Sequence, residues 1–142
     1  MLVQVIYASR ATRPFSDRDL VLLLQKSRDR NRRHGITGML VYKEPTFLQV
    51  LEGEAGELEP VWRDIAADPR HGQIVELRSG PVESRGYGEW SMGFFNASWN
   101  GCAALDGYTR FLDLDFSPEG FAMAPERAIA FMRWIRDADM GL

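Results

Sequence analysis

The chain has 142 residues, of which 45% are hydrophobic and 26% charged, a composition typical of one globular domain. Its 17 Lys and Arg against 20 Asp and Glu give a formal net charge of -3, which provides no global field to attract nucleic acid. No apolar run is long enough to span a membrane, and the N-terminal MLVQVIYASR lacks the charged start of a signal peptide. We therefore expect a cytoplasmic protein with neither a nucleic-acid nor a membrane partner.

Cysteine and histidine are scarce. The single Cys102 cannot form an intramolecular disulfide, and His34 and His71 are the only two histidines. Because zinc sites need several such ligands at set spacings, the sequence predicts no metal site.

The first elements follow from hydrophobic periodicity. The segment LVQVIYAS alternates as a strand, with Val3, Val5 and Tyr7 on one face. A helix then begins at a Ser16 or Asp17 cap and runs to about Gly35.

Two strands, ITGMLVY and TFLQVLEG, follow as an antiparallel hairpin joined at KEP. The segment ELEPVWRDIAAD predicts a second helix, with Pro60 in its first turn and Pro69 just beyond its end. QIVELRSGPV and YGEWSMGFF are predicted as two more strands.

The resulting order βαββαββ predicts an α+β, ferredoxin-like fold with two helices on one face of the sheet. The segment PERAIAFMRWIRDADM predicts a C-terminal helix, whose apolar stripe would cover the other face. The residues between the last strand and this helix are rich in turn formers, and their secondary structure cannot be predicted from the sequence. The stripe consists of Ala128, Phe131, Met132 and Ile135.

Polar side chains interrupt the apolar faces next to the sheet. Gln49 lies between Phe47 and Leu51 on one strand face, and Tyr7 shares the face of its strand with two valines. Asn31 and Asp68 each fall near the C-terminal end of an apolar helix stripe. Each could be a core residue bonded to backbone, but together they are typical of a small-molecule or cofactor site.

Five motifs agree in order and spacing: IYASR, RNRRHGITGMLVY, FLQVLEGE, DPRH and EWSMGF. With them the chain resembles the BLUF domain, the blue-light-sensing flavin-binding module, in its short stand-alone form. The resemblance covers residues 1–97 and makes residues 98–142 a helical extension packed on the same domain. It implies FAD, with the flavin ring held between the two helices above the sheet.

The resemblance also assigns roles. Tyr7 is implied as the electron donor and Gln49 as the switching amide between Tyr7 and the flavin, while Trp90 and Met92 would relay the signal. The implied cofactor-binding residues are Asn31, Ile36, Phe47, Gln49, Asp68, Arg70 and His71. Arg28 and Arg30 are further candidates, for a diphosphate contact, with a solvated basic end of the helix as the alternative interpretation.

The implied activity is that of a photoreceptor and not of an enzyme. With no fused effector in the sequence, we expect a signal through the last strand and the C-terminal helices to a downstream signalling protein. Residues 98–108 are the preferred route, and we also expect a homo-oligomer. Two alternatives stay open: a flavin-free interaction module, which would be colourless, and a flavin-dependent enzyme, which would turn over a reductant in the dark.

Overall fold

The computed structural model describes residues 1–98, Phe111 and residues 114–138. Predicted features at Cys102 and along residues 99–108 lie outside the described residues. The described elements are β1 Leu2–Ala11, α1 Asp17–His34, β2 Thr37–Lys43, β3 Thr46–Glu54, α2 Ala55–Ala67, β4 His71–Pro81, β5 Gly93–Asn96, α3 Pro118–Met123 and α4 Pro125–Asp137.

The five strands form one mixed sheet in the order β4-β1-β3-β2-β5. Strand β1 pairs antiparallel with both β3 and β4, β2 pairs antiparallel with β3, and β5 runs parallel to β2. This arrangement confirms the predicted α+β, ferredoxin-like fold. In the β1–β3 pair Tyr7 lies directly opposite Gln49, so both side chains point to the same face.

The ends of α1 fall where the sequence predicts them. The Ser16 side chain accepts from the Asp19 backbone N–H, and the Asp19 carboxylate accepts from the Ser16 N–H, which completes a capping box. At the other end Gly35 has φ 63°, the left-handed conformation that glycine adopts most easily, and its N–H bonds back into the last turn.

Two predicted elements differ from those observed. Helix α2 begins at Ala55, so Pro60 is its sixth residue and not part of its first turn. The strand predicted over residues 87–95 is reduced to β5, Gly93–Asn96, and residues 82–92 form an irregular segment that we call the β4–β5 connector. Glycines at 86 and 88 favour turns within this connector.

Helices cover both faces of the sheet. Helices α1 and α2 pack on the face that carries Tyr7 and Leu51, while α3 and α4 pack on the face that carries Ile6 and Val50. The predicted stripe of α4 is buried throughout, which confirms that this helix closes the second face. In the part of the chain that the structure describes, none of the helices has the length and apolar character needed to cross a membrane.

Candidate functional site

A cavity of about 170 Å³ lies between α1 and α2, above the sheet. Strands β1 and β3 provide Tyr7, Phe47 and Gln49, the two helices provide its walls, and the start of β4 closes one end. The lining residues are Tyr7, Phe15, Leu23, Ser27, Arg30, Leu40, Phe47, Gln49, Asp64, Ile65, Asp68, Arg70 and His71.

Tyr7 and Gln49 form a hydrogen-bonded pair on the sheet side of the cavity. The phenol O–H donates to Gln49 Oε1, and both side chains are buried. Burial raises the pKa of the Tyr7 phenol well above its usual range, because a phenolate would be poorly solvated there. Tyr7 therefore holds its proton at any ordinary pH and presents it to the Gln49 carbonyl.

The other end of the Gln49 amide has a weak partner. Its Nε2 donates to the Met92 Sδ atom at 3.4 Å, and a thioether sulfur is a poor acceptor. A buried amide N–H normally finds an oxygen or nitrogen, since leaving it poorly paired costs about 1–3 kcal/mol. The chemistry of this donor fits a ring that brings its own carbonyl and ring-nitrogen acceptors into the cavity.

His71 is held by both of its ring nitrogens. Nε2 lies 2.6 Å from the Ile65 carbonyl oxygen, and Nδ1 lies 2.7 Å from the Ser9 hydroxyl oxygen. A carbonyl can only accept, so Nε2 carries a hydrogen and, in the neutral ring, Nδ1 accepts from Ser9. The ring is thereby fixed beside Tyr7 and Phe47, with centroid separations of 6.2 and 6.4 Å.

Charged side chains line the open side of the cavity. Arg70 Nη2 donates to the Asp68 carboxylate at 2.5 Å, and this bond lowers the pKa of Asp68 below its usual value. Burial lowers the pKa of Arg30, a cavity residue whose guanidinium donates to Asn31 Oδ1 at 3.1 and 3.2 Å. The cavity thus combines these charged groups with an apolar lining of Phe15, Leu23, Leu40, Phe47 and Ile65.

A second cavity of about 520 Å³, which we call the outer cavity, adjoins the first, which we call the inner cavity. The two share Leu23, Ser27, Arg30, Asp64 and Arg70. The lining of the outer cavity adds three basic side chains and one acidic side chain from α1. These are Lys26, Arg33, His34 and Asp29. With the shared residues included, the ionisable lining of this outer cavity consists of four Lys or Arg, one His and two Asp.

Three of the predicted cofactor residues do not line either cavity. Asn31 is fully buried and its Nδ2 donates to the Ser91 carbonyl at 2.6 Å, while Arg28 Nε donates to the Met92 carbonyl at 2.9 Å. Ile36 is buried next to Gly53, in the apolar cluster on the α1 and α2 side of the sheet. The other six, namely Arg30, Phe47, Gln49, Asp68, Arg70 and His71, line the inner cavity together.

The two predicted relay residues lie on opposite faces of the sheet. Met92 is 1% exposed and packs with the α1 and α2 side, where it contacts Gln49. Trp90 is partly buried and packs against the cluster formed by α3 and α4. Two residues of the connector therefore reach both sides of the molecule.

Sequence reasoning missed several cavity residues. Ser27 could have been found, because it lies on the helix face of Leu20, Leu24 and Asn31 at spacings of seven, three and four residues. The apolar cavity residues could not have been found, because their sequence spacing is the same as that of ordinary core residues. The missed residues are Phe15, Leu23, Ser27, Leu40, Asp64 and Ile65.

The comparison with protein families agrees with this geometry. The model of the BLUF family, described as sensors of blue-light using FAD, matches residues 2–93. The chain belongs to the BLUF family. Members of this family are sensors of blue light that use FAD.

The similar proteins include a long one, of which the matched region is a small part, and a short one that the match covers almost completely. Photoactivated adenylate cyclase subunit beta of Euglena gracilis is 37% identical over 93 residues, which cover 64% of this chain but 11% of the cyclase subunit. The chain thus spans about a tenth of that relative. The dark-state structure of BlrB, a BLUF protein, is 35% identical with a TM-score of 0.70, and the match covers 92% of this chain and 96% of BlrB.

A second similar structure contains a named flavin. Klebsiella pneumoniae BlrP1, solved with FMN and cyclic diGMP, is 33% identical with a TM-score of 0.65 over 78% of this chain and 30% of BlrP1. Within residues 1–98 and 114–138, no group of three or more His, Cys, Asp or Glu side chains could hold a metal ion.

Proposed function

We propose that this BLUF chain is a blue-light photoreceptor that binds FAD, with Tyr7 as electron and proton donor and Gln49 as the switching amide. The Tyr7–Gln49 hydrogen bond beside a cavity is the observation that carries the proposal. It couples a group that can lose an electron and a proton to an amide that can exchange donor for acceptor.

The cavity residues would divide the work of holding the flavin. Phe47 and Leu40 give the ring an apolar contact, and Gln49 gives it a hydrogen bond at the edge facing the sheet. Asp68, Arg70 and His71 would contact the ribityl side, and Arg30 lies where the inner and outer cavities meet. For Arg28, Asn31 and Ile36 we propose support through the connector and the helix packing.

When bound and excited, the flavin supplies a strong one-electron oxidant within reach of the protein. Tyr7 is the residue that we expect to be oxidised, and an oxidised phenol is a strong acid that releases its proton along its hydrogen bond. Gln49 Oε1 is the acceptor of that bond. Gln49 Oε1 would take up that proton while Nε2 gives one up toward the ring edge. When the electron and a proton return, Tyr7 would again be a neutral phenol, beside a reoriented or tautomerised amide whose groups toward Tyr7, Met92 and the ring edge are exchanged.

The outer cavity supports FAD over FMN. FAD carries a second phosphate and an adenosine that FMN lacks, and both must lie beyond the ring. The positive charges of Lys26 and Arg33 suit the added phosphate, and the volume of about 520 Å³ gives room outside the inner cavity.

For the output we propose a relay without catalytic turnover. Residues 1–97 would hold the flavin, and residues 98–142 would present the signal to a downstream signalling protein or across a homo-oligomer interface. Met92 is in contact with the switching amide, and Trp90 is in contact with the α3 and α4 face, which supports a relay between the faces. The cyclase activity of the Euglena protein belongs to the much longer relative.

The absorption spectrum of the purified protein, recorded in the dark and under blue light, tests the proposal. A photoreceptor is yellow, shifts its flavin bands slightly to longer wavelength in light, and recovers in the dark. A flavin spectrum that does not change would refute the photoreceptor. A colourless protein that takes up no flavin would support the interaction module, and steady dark oxidation of a reductant would support an enzyme.

The identity of the flavin needs a separate measurement. Heat release of the bound flavin followed by chromatography against FAD and FMN standards should give FAD. A double substitution of Lys26 and Arg33 to Gln should lower the affinity for FAD and leave that for FMN nearly unchanged. Equal losses for both flavins would contradict the assignment of the outer cavity.

A further inference from the structure

The β4–β5 connector is attached to three different elements at its downstream end. Three successive carbonyl groups each accept one bond: Trp90 from the Gly38 N–H at 3.1 Å, Ser91 from Asn31 and Met92 from Arg28. Gln49 adds its contact to the Met92 sulfur. A rearranged Gln49 amide therefore acts on the Met92 side chain, whose backbone belongs to a short stretch bonded to α1 and β2.

The upstream end of the connector is attached to a buried carboxylate. Glu52 is fully buried and accepts from the Gly86 N–H at 2.9 Å, the Tyr87 N–H at 2.7 Å and Gln4 Nε2 at 2.9 Å. A buried carboxylate is costly unless it is hydrogen-bonded, so these three bonds fix the Gly86 and Tyr87 backbone tightly to the sheet.

Glu52 and Gln49 belong to the same strand but face opposite sides of the sheet. Gln49 points with Leu51 toward the cavity, and strand alternation turns Glu52 toward the α3 and α4 face. Strand β3 thus contacts the connector at both ends. Only Gly88 and Glu89 separate Tyr87 from Trp90 in the chain. A displacement of the backbone at residues 90–92 is therefore transmitted to Tyr87 through a few peptide bonds.

Helix α4 contacts the connector at its upstream attachment. The Arg136 guanidinium lies over the Tyr87 ring, 5.2 Å from its centroid, and Nη1 donates to the Gly86 carbonyl at 3.2 Å. A Cβ atom placed on Gly86 would be 3.6 Å from Arg136 Nη1 and 3.7 Å from Glu52 Oε2. The Arg136 cation and the buried Glu52 carboxylate therefore lie on either side of Gly86. Because the cation–π contact depends on the distance between Arg136 and the Tyr87 ring, a movement of that ring changes the contact.

We propose that Arg136 is the positioning residue through which α4 follows the connector, by its joint contact with the Gly86 carbonyl and the Tyr87 ring. This inference rests on the proposed photoreceptor function. A light-driven change at Gln49 and Met92 moves the connector, the Tyr87 ring and Gly86 carbonyl move with it, and the last turn of α4 repacks. The route lies before β5 in the chain, so it is distinct from residues 98–108.

Hydrogen exchange of the α4 amides, compared in the dark and under blue light on the flavin-loaded full chain, tests this route. Arg136→Met removes the guanidinium but keeps a long helix-favouring side chain, and Arg136→Gln is a second variant. Arg136→Lys keeps a cation, and Arg133→Met is the matched control, because Arg133 is exposed on the same helix. Thermal unfolding of every variant shows that it is folded.

We expect the light-induced exchange difference in residues 125–138 to be lost in Arg136→Met and Arg136→Gln. It should persist in Arg133→Met and partly in Arg136→Lys, while all variants keep the full flavin shift. An exchange difference of wild-type size in both Arg136→Met and Arg136→Gln would overturn the inference. A wild-type protein that shifts its spectrum without any change in α4 would overturn it too, but would leave the photoreceptor function intact. A wild-type protein without a spectral shift would overturn both.

Discussion

On one face of the sheet, α1 and α2 stand apart over a cavity, whereas on the other face α3 and α4 close against an aromatic cluster. The cavity face carries a phenol, an amide, an imidazole and two ion-paired charges around an open space. On the closed face the Phe131 ring packs edge to face against Phe111 and Phe116, with centroid distances of 5.2 and 5.7 Å, and lies tilted against Trp134 at 5.9 Å.

The difference separates two tasks that one sheet performs. A packed aromatic face gains free energy from burial and contributes to stability. A face that keeps a cavity and a poorly paired amide forgoes part of that gain, which is typical of a site that a ligand completes. Substitutions on the cavity face should therefore change the photocycle, and those on the closed face should change stability.

Tyr7→Phe should have the largest effect on the photocycle. It removes the hydroxyl that donates to Gln49 and leaves the ring, so the flavin should still bind while the blue-light shift is lost or greatly reduced. The matched control is Tyr87→Phe on the closed face, because the Tyr87 hydroxyl is buried with no hydrogen-bond partner among the described residues. Difference spectra of both variants check the prediction, and equal photocycles in the two would contradict the division between faces.

Phe131→Ala should have the reverse profile. Phe131 is 2% exposed, and removing a buried phenyl ring costs about 3–5 kcal/mol of unfolding free energy. The folded fraction should keep the light-induced shift, because Phe131 lies across the sheet from Gln49. Urea unfolding and difference spectra, with the exposed Met123→Ala as the control, would show the separation. A loss below about 1 kcal/mol would mean that the aromatic cluster is not a tightly packed core.

The regular elements of this fold were largely predictable because their signals are local. The Ser16 cap, Gly35 and the apolar stripe of α4 each fix an element without distant contacts. Two errors came from signals that depend on neighbours. Helix α2 extends back to Ala55 directly after β3, which moves Pro60 inside it, and β5 is limited to four residues that pair with β2.

The candidate site was predictable where strand alternation decides and not where packing decides. The shared face of Tyr7 and Gln49 follows from parity and antiparallel pairing, and the structure brings the two side chains into contact. The helix position of Asn31 predicted its buried direction but not its bonding partner, and for Arg28 the sequence predicted neither. Both bond to the backbone of the connector, a segment that the sequence assigned to a strand. Their predicted contact with the flavin remains a prediction.

The charged side of the cavity should give a small effect that depends on pH. The Arg70 hydrogen bond lowers the pKa of folded Asp68 below the value of 3.8 expected when unfolded. A lowered carboxyl pKa stabilises the fold above the unfolded pKa, and this contribution is lost as the pH falls through the folded pKa.

Asp68→Asn should therefore lower the unfolding free energy at pH 7 by less than about 1 kcal/mol, since the pair is partly exposed to solvent. The difference from wild type should vanish at a pH well below 3.8. Urea unfolding at both pH values measures it, with Asp29→Asn, an exposed carboxylate of α1, as the control. A deficit that stays constant down to the lower pH would show that the ion pair is not its source.

The role of Gln49 is tested most directly by the light-minus-dark spectrum of Gln49→Leu. Leucine has nearly the volume of glutamine but lacks its donors and acceptor, so the fold and the flavin should be kept. The matched control is Gln25→Leu, an exposed glutamine of α1. We predict that the flavin shift is absent in Gln49→Leu and of full size in Gln25→Leu. A shift of full size in Gln49→Leu would contradict the account and make Gln49 an ordinary buried polar residue.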